Sequence, residues 1–154
     1  MPKRTRAVLL ILMLAMASMA AAKEVSPAPP MGWNSWDSFG FTIDEADFKA
    51  NASVLAGLHG YGWTYVVIDQ SWYMRNPFAD KLQTRDYTMD AHGLLVPALN
   101  RFPSGANGQG FKPLADWVHA QGLKFGIHIV RGVPSQAVAA DLPVAGSAGA
   151  AAFW

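Results

Sequence analysis

A chain of 154 residues with a formal net charge of +1 is about the size of one ordinary domain, and it carries no basic field to draw nucleic acid or an anionic membrane. Hydrophobic residues make up 51% and aromatic residues 12%, which excludes disorder throughout and predicts a sizeable core. Cysteine is absent, so neither a disulfide framework nor a lipid-modified cysteine is available.

The first 22 residues read as a secretory signal peptide. Lys3, Arg4 and Arg6 supply a positive start, residues 7–17 an apolar run, and Ala20, Ala21 and Ala22 a small-residue cleavage site before Lys23. The run is shorter than the ~20 apolar residues that span a bilayer, so the expected product is secreted or periplasmic and free of the membrane. A proline-rich linker, residues 23–30, leads into the folded part, residues 31–146.

Strand and helix patterns then alternate. "MGWNSW" reads as a short first strand ending in polar and aromatic groups. Thr42 and Glu45 have the spacing of a capping box, and Phe48, Ala52, Leu55 and Leu58 recur at helical spacing until Gly60 and Gly62. Residues 65–68 form the second strand, whose β-branched run predicts burial on both faces. Residues 73–110, rich in Asp, Asn, Pro and Gly, form a connection long enough to suggest a functional loop. Pro113 fits the first turn of a second helix that carries Leu114, Trp117 and Val118 and stops at Gly122. "LKFGIHIV" is the third strand. This order predicts right-handed crossovers and a parallel α/β sheet.

Parallel α/β folds bind ligands at the carboxyl ends of their strands. Three strands here pass from apolar residues into polar and aromatic ones: "GWNSW", "IDQSW" and "GIHIVRG". Trp36, Asp69, Gln70, His128 and Arg131 are therefore the candidate site residues, expected to converge on one pocket. An aromatic face beside acid and amide groups suits a sugar, whose C–H face stacks on indole while its hydroxyls need directed partners. Each residue also has a plainer reading: a packing tryptophan, an aspartate capping its loop, a satisfied core histidine. His59, His92 and His119 show no metal-ligand spacing, and no metal or cofactor is expected.

Four blocks, "PPMGWNSWDSFG", "YVVIDQSWY", "HGLLVPALNRFPSG" and "FKPLADWVHAQGLKFGIH", resemble in order and spacing the amino-terminal part of the α-galactosidase (melibiase) family, glycoside hydrolase family 27. The resemblance runs from about Pro29 to Gly146. It implies a (β/α)8 barrel of TIM type, here the first three or so βα units. It also implies removal of terminal α-galactose, or in some members α-N-acetylgalactosamine or β-arabinopyranose, with retention at the anomeric carbon. It places Trp36 against the sugar ring and Asp69 on sugar hydroxyls. The family's second acid is Gln70 here, its cysteine is Ser71, and its frequent pocket tyrosine is His128. The family's catalytic aspartates lie on the fourth and sixth strands, and this chain stops after the third, so no catalytic residue is assigned within it. Asp141 lacks a strand-ending context, and residues 147–154 read as a low-complexity, truncated or frame-shifted tail. The expectation is a secreted α-galactosidase-like lineage with a terminal α-galactoside as partner. The alternatives are a non-catalytic galactoside-binding fragment and a structural or interaction protein.

Overall fold

The computed structural model describes residues 28–79, 84–130 and 132–146. The expected signal peptide, the tail and Arg131 lie outside the described residues. Three strands, β1 (Met31–Asn34), β2 (Trp63–Ile68) and β3 (Lys124–Ile127), make one parallel sheet in chain order. Four helices accompany them among the described residues: α1 (Trp36–Phe39), α2 (Glu45–Ala56), α3 (Lys112–Ala120) and α4 (Ser135–Ala139). No helix there is long and apolar enough to cross a membrane.

The core forms where α2 packs on β2 and α3 on β3. Phe48, Ala52 and Leu55 of α2 are buried at the spacing that puts them on one helical face, as are Leu114 and Val118 of α3. They meet Val66 and Ile68, the alternate residues of β2 that point outward from the sheet. Burial on both faces is not observed: Tyr65 and Val67 on the opposite face are only half-buried. A relay of rings, Trp33–Phe48–Phe125–Phe111–Trp72, joins β1 and β3 to the loop after β2. Gly32 stands at the register shift between β1 and β2, where any Cβ would lie 2.1 Å from the carbonyl oxygen of Tyr65. Only glycine fits there.

The expected capping box is not formed. Asp44 caps α2, its carboxylate accepting the Asp47 amide at 2.9 Å, while the Thr42 hydroxyl turns back to donate to Phe39 O. The cause is Ile43, which is drawn fully into the core and delays the helix start to the next extended residue. The helix also ends earlier than expected, at Ala56, and Gly62 instead closes a 3-10 turn in the left-handed region. The long connection is tied down where it is described, by antiparallel bridges Met74–Tyr87 and Met89–Leu95 and by the Thr88 hydroxyl donating to Tyr73 O.

Glu45 serves the fold rather than the cap. Its buried carboxylate accepts from Lys49 Nζ at 2.6 Å and from the Ser104 amide at 2.9 Å. Burial pushes this carboxyl up, but the hydrogen bonds from Lys49 and Ser104 outweigh it and hold the group below its ordinary value. A carboxyl depressed in the folded state stabilises above its unfolded pKa, and that contribution fades as pH falls through the folded value. Unfolding free energies from urea titration at about pH 7 and about pH 3 should therefore differ by roughly 1 kcal/mol less in Glu45→Gln than in the parent chain. Equal acid losses in the two proteins would refute this role.

Candidate sugar site at the strand ends

The parallel register sets the site. Ile68 pairs with Ile127, so the next residues, Asp69 and His128, leave the sheet side by side. Asn34 pairs with Val67 on the other edge, and the ladder runs on through Ser35 N to Val67 O and His128 N to Ile68 O. Three strand ends thus deliver Asn34, Asp69 and His128 to one place.

Asp69 is the centre of that group. Its Oδ1 accepts the Gln70 amide at 2.7 Å and its Oδ2 lies 2.8 Å from His128 Nδ1, while the Ser35 hydroxyl accepts the Asp69 amide at 2.9 Å. Burial raises the Asp69 carboxyl, yet hydrogen bonds from the Gln70 amide, His128 and Asn34 more than offset this and leave it below the usual range. It is therefore ionised at neutral pH. A carboxylate accepts only, so the contact with Asp69 places a proton on His128 Nδ1, and in the tautomer that carries its hydrogen there alone Nε2 is an acceptor. The imidazole is 58% exposed against 16% for the aspartate, so Nε2 is open to a ligand while Asp69 sits behind it. The Trp72 indole donates to His128 O at 2.8 Å, and the Asn34 amide oxygen accepts Trp36 N at 2.8 Å, which fixes the floor and rim.

Asp69 and His128 thus meet as expected, with Asn34 added. Asn34 lies inside the strand-ending block "GWNSW", so its signal was present, but only the tryptophan was singled out. His128 is an exposed strand-end group and not a buried core histidine. Trp36 lies on α1, a one-turn helix beyond β1, 38% exposed with its ring edge-on to Phe41 at 5.1 Å. Gln70 turns elsewhere: its side chain lines a neighbouring cavity of about 400 Å3 together with Phe41, Tyr73 and Arg85. The expected single pocket is not formed: Asn34 and His128 line a different hollow, with Trp33 and Tyr65, and neither cavity is lined by Trp36 or Asp69. Arg85 had no signal in the sequence. No group of residues able to hold a metal occurs among the described residues.

A parallel sheet flanked by helices, with a carboxylate and an imidazole meeting at its strand ends, is the arrangement in which β/α enzymes place their active sites. The comparisons carry this further. The family model for alpha galactosidase A, Melibiase_2, matches residues 28–140. The alpha-galactosidase A of Cellvibrio japonicus is 34% identical over 120 residues, 77% of this chain and 25% of that protein. The alpha-galactosidase of Coffea arabica is 40% identical over 102 residues, 65% of this chain and 22% of that protein. A family 27 β-L-arabinopyranosidase from Geobacillus stearothermophilus, solved in complex with arabinose, superimposes with a TM-score of 0.75 at 48% identity, covering 82% of this chain and 30% of that one. The chain belongs to the alpha galactosidase A family, glycoside hydrolase family 27, and its three strands are the first βα units of that barrel. It spans about a quarter of the length of the curated relatives it matches.

Proposed function

We propose that this chain is the sugar-recognising part of a retaining glycoside hydrolase acting on terminal α-D-galactosides, exported to a secreted or periplasmic location by residues 1–22. The observation that carries the reading is the Asp69–His128 pair, which presents an oriented acceptor, His128 Nε2, at the strand ends where a barrel enzyme holds its substrate. Trp36, whose backbone amide donates to Asn34, offers a partly exposed indole on which a sugar face can stack. Charge and basic pattern give nucleic acid no purchase.

Catalysis is a separate matter from recognition. Retaining cleavage needs two carboxyl groups about 5 Å apart, one to attack the anomeric carbon and one to protonate the leaving oxygen. Among the described residues the three strand ends carry one carboxylate, Asp69, and both its oxygens are engaged by the protein. This favours galactoside binding without turnover by the 154-residue chain. Release of nitrophenol from the nitrophenyl α-galactoside by the purified chain is expected to equal that of an Asp69→Ala preparation. Release above that level would overturn this part of the reading.

Binding is tested by titrating the full chain with methyl α-D-galactopyranoside, methyl β-L-arabinopyranoside and methyl α-D-glucopyranoside, following the His128 ring signals by NMR. The first two share their ring configuration and should move those signals; the 4-epimer should not. Equal response to all three, or none, would remove the sugar role.

A further inference from the structure

The cavity beside the sugar site holds a cation that the fold leaves unused. Arg75 pairs with Asp86 at 2.6 Å, and Arg101 bonds four backbone carbonyls. Arg85 does neither. Its guanidinium makes no hydrogen bond or ion pair among the described residues, and its Nε is shut off from solvent without a partner. Arg101 Nε is also buried without a partner, so what sets Arg85 apart is that its two Nη groups are unbonded as well among the described residues.

The same residue is nevertheless held firmly. Gln136 of α4 donates to Arg85 O at 2.8 Å, and the guanidinium lies over the Phe41 ring, 5.5 Å from its centroid. It lines the cavity of about 400 Å3 that Gln70, Tyr73 and Ser135 also line, and among the described residues no aspartate or glutamate does. A planar fork of donors, an amide and a hydroxyl around a void without acids match an oxyanion, which guanidinium binds through two parallel N–H bonds. Gln70 follows Asp69 directly, so the void opens beside the strand ends.

We propose that this cavity is an oxyanion pocket, taking a carboxylate or sulfate group carried on the part of the ligand next to the sugar held at the strand ends. Its placement relative to a sugar rests on the reading above; the anion chemistry rests on Arg85 alone. The preferred ligand is then an acidic glycan bearing a terminal galactose-configured residue, bound more tightly than its neutral counterpart.

The test uses the 15N-labelled full chain and the Nε–Hε signal of Arg85, identified by its loss in Arg85→Lys. At constant ionic strength set with sodium chloride, sodium gluconate should shift this signal saturably, and sorbitol, its uncharged analogue, should not. Sodium sulfate as competitor distinguishes the two oxyanions: displacement of gluconate at about tenfold lower concentration assigns the pocket to sulfate esters, and weaker competition assigns it to carboxylates. In Arg85→Gln the neighbouring cavity signals should no longer respond to gluconate. Equal responses to gluconate and sorbitol, or a gluconate response that survives Arg85→Gln, would overturn the proposal. A gluconate response at Arg85 with no response of His128 to methyl α-D-galactopyranoside upholds the pocket and removes the sugar reading. The reverse result does the opposite.

Discussion

Replacing Arg101 by methionine is expected to destabilise the fold by about 3–4 kcal/mol, a large share of the 5–15 kcal/mol that holds an ordinary domain together. Its side chain is buried, and its guanidinium is a hub of backbone contacts: Nη1 donates to Ser71 O at 2.7 Å and Met74 O at 3.0 Å, and Nη2 donates to Phe41 O and Ile43 O at 2.5 Å each. Burial pushes the group down to about 10, with Asp44 pulling the other way, so the charge is intact at neutral pH. Methionine keeps much of the volume and removes every donor. Four carbonyls that the arginine had drawn out of solvent lose a charge-assisted bond at once, and hydrogen bonds to charged groups contribute about 1.5–3 kcal/mol each before relief of the buried charge is subtracted.

Lysine is the informative comparison. Its ammonium is a single point, unable to serve two pairs of carbonyls on opposite arms, so Arg101→Lys should recover only part of the loss, roughly 1–2 kcal/mol of it. The consequence reaches the site. Arg101 holds Ser71 at its positive φ, two residues after Asp69, and joins the turn after β2 to the segment entering α2. Loosening that turn should blur the Asp69–His128 geometry even below the unfolding midpoint. Urea unfolding followed by tryptophan fluorescence measures the first effect, and the His128 ring signals measure the second. A methionine variant within about 0.5 kcal/mol of the parent would remove Arg101 from this role.

How much of this was legible beforehand follows from the range of the forces involved. The face of α2 was readable because Phe48, Ala52 and Leu55 obey helical spacing, and the limits of α3 because Pro113 and Gly122 act locally. The meeting of Asp69 with His128 followed from topology, since parallel strands with equal ends must present their next residues together. Tertiary effects stayed hidden. Ile43 moved the start of α2 by entering the core, the one-turn α1 and the five-residue α4 are too short for periodicity to register, and Arg101 finds its carbonyls 27 to 60 residues away. Gln70 was read with Asp69 because it stands where the resembled family has its second acid, and which cavity an adjacent residue lines depends on tertiary placement that the motif does not encode.

Asp69→Asn is expected to weaken binding of methyl α-D-galactopyranoside by at least about tenfold, about 1.4 kcal/mol, with little change in the volume of the site. The reason lies in the bookkeeping of protons. The carboxylate receives the Gln70 amide on one oxygen and His128 Nδ1 on the other. An asparagine can accept on one side only. If its oxygen keeps the Gln70 amide, its NH2 faces His128 Nδ1, which must then give up its proton, moving the hydrogen to Nε2 and turning the ligand-facing acceptor into a donor. If its oxygen turns to His128, the NH2 opposes the Gln70 N–H and the turn into Ser71 is disturbed. Either way the sugar loses an oriented acceptor. Long-range 15N–1H correlations report the tautomer directly, and the parent should show the hydrogen on Nδ1 and Asp69→Asn should show it on Nε2 or a mixture. Asp69 is held below its ordinary value of 3.8, so the stability its pairing contributes is present above that pH and is lost as pH falls through the folded value. Asp69→Asn protein that keeps the parent tautomer and the parent affinity would show that Asp69 only caps its loop, and His128 would lose its place as the acceptor for the sugar.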